Sequence, residues 1–90
     1  MKIDVYDTYA TSKKGNTIHF DVFLQHGGKK ETALHYAKQF FESIGESSEG
    51  LKSERCSFCH TESANQSISE EIESAGYFIL QMEGCPNPYR

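Results

Sequence analysis

The sequence predicts an α/β (α+β) domain: an N-terminal β-hairpin, then α, β, α and β elements, forming one mixed sheet with helices packed on it. Three observations carry this reading. Residues 17–24 alternate Ile18, Phe20, Val22 and Leu24 with Thr17, His19, Asp21 and Phe23, the period of a strand with one strongly apolar face. Ala33, Leu34, Ala37, Phe40, Phe41 and Ile44 recur at three-and-four spacing, a helical stripe wide enough to cover a sheet. Finally, 90 residues at 37% hydrophobic and 24% charged content suit one globular core, with no room for a second. Residues 1–90 therefore read as a single domain with an irregular tail from about residue 84.

The first strand is expected from about Lys2 to Tyr9 and the second from Thr17 to Leu24. Between them Lys13-Lys14-Gly15-Asn16 is turn chemistry, and a tip at Lys14-Gly15 would set Tyr9 opposite Phe20 and Val5 opposite Leu24. That register puts Ile3 and Val5 on the face of Phe20 and Val22. Gly27-Gly28 closes the hairpin, and a helix runs from about Lys30 to Ile44, stopped by Gly45. Glu46 to Gly50 is a polar loop expected to tolerate insertion. A weakly patterned third strand is expected from Leu51 to Phe58, followed by loop at 61–66. Ser67-x-x-Glu70 reads as the capping box of a short helix carrying Ile68, Ile72 and Ala75, which Gly76 stops. Tyr77 to Met82 is apolar almost throughout, the mark of a strand inside a sheet.

Charge and hydropathy exclude several roles. A net charge of −4 with scattered basic residues gives no phosphate-tracking surface, so no nucleic-acid partner is expected. No stretch is long or apolar enough to span a bilayer, so no membrane partner is expected either. The N-terminus has no apolar signal-peptide core, and the expected address is cytoplasmic. In that reducing compartment three thiols favour metal binding or transient redox chemistry over a structural disulfide.

Cys56, Cys59 and His60 form Cys-x-x-Cys-His, and Cys85 returns near the C-terminus. Two thiols at that spacing can fold back on one ion, and a third approaches the ligand count of a structural zinc or iron site. The candidate metal centre is thus Cys56, Cys59 and Cys85, with His60 or His19 as fourth ligand and zinc as the expected ion. The competing reading makes the thiols small buried apolar residues in a metal-free, non-enzymatic interaction module. A third reading is a thiol–disulfide oxidoreductase, with Arg55 and His60 lowering a thiol pKa, but the strand-then-long-helix context is missing. Haem attachment, which the same motif spells, needs export and a mostly helical pocket, so no haem is expected.

Away from the cysteines, Asp7, His19 and Asp21 lie in or beside the hairpin. His19 and Asp21 share one strand face, which the expected register shares with Tyr6 and Thr8. Asp7 falls in the row of Ile3, Val5 and Tyr9 and is therefore either at the end of the sheet or buried and hydrogen-bonded. Such a cluster can transfer protons, but ordinary hydrogen bonding on a solvated or helix-covered face is the commoner explanation, and no catalytic residue is assigned. Tyr6 and Phe23 fall on the less apolar face of the hairpin; left uncovered by helices, they would make a patch that favours a homodimer.

Four blocks, Val5-Tyr6-Asp7-Thr8-Tyr9, Ile18-His19-Phe20-Asp21-Val22, Cys56-x-Phe58-Cys59-His60-x-Glu62 and Met82-Glu83-Gly84-Cys85-Pro86, resemble a family of small bacterial proteins known as domain of unknown function 2024. The resemblance covers nearly the whole chain and implies a single α/β domain. It implies no activity, ligand or catalytic residue.

Overall fold

In the computed structural model, which describes residues 1–89, strand β1 (Lys2–Thr11) turns into β2 (Thr17–Gln25) through a tight loop. Ser12 N–H donates to Asn16 O at 2.8 Å, so Lys13-Lys14-Gly15 is the loop proper. Gly15 takes φ +85°, the left-handed residue that closes a three-residue hairpin without Cβ strain. The ladder pairs Thr8 with Phe20, Tyr9 with His19 and Val5 with Phe23. This is one residue away from the register expected for a tip at Lys14-Gly15, because an odd loop replaces an even one. A one-residue slip turns every side chain to the other face. Asp4, Tyr6, Thr8 and Ala10 thus share a face with Ile18, Phe20, Val22 and Leu24, and Ile3, Val5, Asp7 and Tyr9 share the other with His19, Asp21 and Phe23.

Beyond β2 come α1 (Lys30–Ser43), two 3-10 turns at Ser48–Gly50 and Ser53–Arg55, strand β3 (Cys56–Ser63), α2 (Gln66–Ala75) and β4 (Phe78–Gln81). Spatial order in the sheet is β3-β1-β2-β4. A mixed sheet is the expectation, but all three pairings are antiparallel. The reason is placement: β3 runs with β2 yet lies beside β1, and β4 runs with β1 yet lies beside β2.

One helix packs on each face. On the first, Ala33, Ala37, Phe40 and Phe41 of α1 meet Tyr6, Ala10, Ile18, Phe20, Val22 and Leu24. Phe20 and Phe41 are fully buried there, each worth roughly 1.5–3 kcal/mol of transfer free energy. On the second face, α2 starts beside the end of β3, where Ala64 N–H donates to Met1 O at 2.9 Å, and ends before Phe78, which pairs with Phe23. It therefore crosses the sheet from edge to edge. Its Ile72 seals Ile3, Val5 and Phe23, and the rest of that face, from Asp7 and Asp21 onward, lies beyond this cluster. Tyr6 and Phe23 are both buried, so neither contributes to an exposed patch. Among the described residues no helix is long and apolar enough to cross a membrane.

Candidate functional site: an aspartate–histidine–aspartate cluster

The observed register places Asp7 directly opposite Asp21 and, one pair on, Tyr9 opposite His19. All four side chains share the α2 face at the end that α2 leaves open. His19 Nε2 lies 2.5 Å from Asp7 Oδ1 and 3.7 Å from Asp21 Oδ1. The Tyr9 ring stacks on the imidazole at 4.2 Å between centroids and 9° between planes, and the Arg55 guanidinium carbon sits 5.5 Å from the Tyr9 ring centre. One potential ligand atom from each of Asp7, His19 and Asp21 lies within 4.8 Å of the other two.

The two carboxylates are unequal. Asp7 is partly exposed, and although burial raises its pKa, the hydrogen bonds to His19 and Asp21 and the His19 charge hold it below the ordinary carboxylate range. Asp21 is 8% exposed. Burial first, then a proton shared with Asp7 and the like charge of Asp7, push it up to about 7. Its Oδ1 is buried with no hydrogen-bond partner among the described residues. Like charges directly opposite on neighbouring strands destabilise a sheet, and a buried unpaired acceptor costs about 1–3 kcal/mol more. The cluster is a local liability of the fold.

A second buried carboxylate shows the contrast. Asp4 Oδ1 accepts from Thr61 Oγ1 at 2.8 Å and lies 2.8 Å from His26 Nδ1, while Oδ2 accepts from Gly27 N–H at 3.0 Å. Burial alone would raise this carboxyl, but those three partners outweigh it and hold it below the usual range. Asp4 thus ties β1 to β3 and to the turn after β2. Its role was hidden in the sequence, where an acid between the apolar Ile3 and Val5 was the single trace of it.

The expected thiol centre does not assemble. Cys56 and Cys59 both lie in β3, where extended backbone carries their Cα atoms roughly 9–10 Å apart, whereas a metal-gripping pair needs a turn. Cys56 is buried, its Sγ 3.5 Å from Thr8 Oγ1. Cys59 is exposed, opposite the irregularity between Val5 and Tyr6, with its Sγ 3.3 Å from His60 Nδ1. Cys85 is buried beside β2, two strands from Cys56, and its thiol donates to His19 O at 3.3 Å. His60 turns to Glu62, Nε2 to Oε2 at 3.3 Å. Among the described residues, the one group of three potential ligands that converges is Asp7, His19 and Asp21.

The oxidoreductase reading meets the same geometry. A disulfide needs Cα atoms under about 7 Å apart, which the strand spacing of Cys56 and Cys59 denies. Burial also raises the Cys56 and Cys85 thiols, against the low pKa a redox thiol requires. Elsewhere, an open groove of about 410 Å³ lies between the hairpin tip and the first 3-10 turn, lined by Thr11, Lys13, Ser47, Glu49, Gly50 and Lys52 among others. It contains none of the clustered residues.

Fold and site together define a small single-domain α+β protein: a four-stranded antiparallel sheet, a helix on each face, and a carboxylate–imidazole cluster at the open end of one face. The chain belongs to the family described as Domain of unknown function (DUF2024), which it matches over residues 1–82. It is also similar to protein NE1680 from Nitrosomonas europaea, whose NMR structure has 47% sequence identity and a TM-score of 0.79, covering 94% of this chain and 99% of that one. No curated protein matches it.

Proposed function

We propose that the protein is a non-enzymatic binding module whose working surface is the open end of the α2 face, centred on Asp7, His19 and Asp21. The observation that carries this is the buried Oδ1 of Asp21, which has no hydrogen-bond partner among the described residues, reaches His19 Nε2 only at 3.7 Å and is set against a second carboxylate. Groups that cost a fold stability are the mark of a binding or reacting surface, because a purely structural site would be hydrogen-bonded as Asp4 is. The thiols, dispersed along β3 and the tail, do not enter this reading.

Asp21→Asn tests it. The amide keeps the shape, removes the charge and can donate to Asp7. If Asp21 serves a ligand, the variant is more stable than the parent at pH 8 by about 1–3 kcal/mol in urea unfolding. A variant less stable than the parent at pH 8 makes Asp21 a structural group and sinks the reading.

A further inference from the structure

We infer that the cluster is a binding site for a divalent first-row transition-metal ion, with Asp7 Oδ1, His19 Nε2 and Asp21 Oδ1 as ligands. This rests on the reading of that face as a binding surface and names what it binds.

The donor set is right for such an ion. One imidazole and two carboxylates form a mixed nitrogen–oxygen site of the kind that suits zinc, manganese or iron in the divalent state. The spacing is also close. Ligands about 2.0–2.2 Å from one ion lie roughly 3.0 Å apart at right angles and about 3.4 Å apart in a tetrahedron. The observed separations bracket these values: 2.5 Å from His19 Nε2 to Asp7 and 3.7 Å from His19 Nε2 to Asp21. Shifts of about half an ångström, within reach of χ rotations on two short aspartates, bring both histidine distances into that range, and the two carboxylates already lie within 4.8 Å of each other. A cation supplies what the cluster lacks, a partner for the buried Asp21 Oδ1 and a charge to offset two facing carboxylates. Binding would compete with protons for these ligand atoms, as at any site of this donor type.

The support around the ligands is in place. The imidazole is held by the stacked Tyr9 ring and is only partly exposed. Two ligands lie on one strand at alternate positions and the third on its neighbour, so the ladder itself fixes their relative heights. Asp7 is the more exposed of the two acids and leaves coordination positions facing solvent.

The test is a titration of ¹⁵N-labelled protein with Mn²⁺, an ion that prefers oxygen and nitrogen donors to thiols. The expected result is saturable paramagnetic broadening centred on residues 7–9 and 19–21, with affinity lowered at least about tenfold in Asp21→Asn and in His19→Gln. Zn²⁺ calorimetry on Cys59→Ser protein should give the same loss in the same variants, which separates this site from the exposed thiol. Preserved amide spectra show that the variants are folded, and should one unfold, the other decides. Absence of saturable broadening up to millimolar Mn²⁺, broadening centred on the acids of α2, or affinity unchanged in both variants each overturns the inference. Such a failure is distinct from failure of the binding-surface reading, which the pH 8 stability of Asp21→Asn decides without metal.

Discussion

Tyr9 and His19 face each other across the hairpin with their rings stacked nearly parallel, 4.2 Å apart. The pair makes a rigid wall for the cluster: Tyr9 limits how far the imidazole can tilt away from Asp7. An aromatic pair of this kind contributes about 0.5–1.5 kcal/mol beyond its buried area. Tyr9→Leu should therefore lower unfolding free energy by about 1 kcal/mol in urea, and the His19 ring-proton shifts should move toward those of an unstacked imidazole.

Asp4 gives a pH dependence whose sign is fixed. Its folded pKa lies below the unfolded value near 3.8, so its contribution is complete above that value and is lost as pH falls through the folded pKa. Asp4→Asn removes the charge that His26, Thr61 and Gly27 satisfy. The variant should be less stable by about 1–3 kcal/mol at pH 7, with the gap to the parent narrowing below pH 4. A gap independent of pH in urea titrations would contradict the assignment.

Gly50 is required for space. A Cβ there would lie 2.1 Å from the carbonyl oxygen of Thr11, a backbone atom that cannot swing aside. Gly50→Ala should push the 3-10 turn off the hairpin tip and cost about 1–3 kcal/mol. Loss of amide-exchange protection in residues 46–51 would locate the damage.

The three thiols should differ sharply in reactivity. Cys59 is exposed, whereas Cys56 and Cys85 are buried with raised pKa values. A chromogenic disulfide reagent should label one thiol quickly in native protein and the other two only on unfolding. Cys59→Ser should change stability by less than about 0.5 kcal/mol. Rapid labelling of all three would mean that the core around Cys56 opens readily.

Much of the fold was legible because periodicity reports burial. The alternation in β2 and the stripe of α1 each face a core and were read directly from the sequence. Where burial is absent the pattern fails. β3 is an edge strand exposed along all but its first residue, so nothing in its residues distinguished 51–58 from the observed 56–63. The 3-10 turn at Ser53–Arg55 occupies much of the difference. The loop read as tolerant is tethered, since Glu46 Oε1 accepts from Lys13 N–H at 2.8 Å and Gly50 packs on Thr11. The cap of α2 is Asn65, whose Oδ1 accepts from Ile68 N–H at 2.9 Å, two residues before the expected box at Ser67. The site was half legible. Asp7, His19 and Asp21 could be named as polar residues out of place, but their meeting depends on hairpin register, and register depends on a turn type that Lys13-Lys14-Gly15-Asn16 leaves ambiguous.

The odd count of that loop has a consequence for how the chain can change over time. Losing or gaining one residue at the hairpin tip would rotate β1 half a turn against β2, sending Asp7 into the oily layer beneath α1 and Thr8 out toward His19. Length variation at this bend should then come in pairs, since a single-residue step trades the chemistry of one side of the sheet for that of the other.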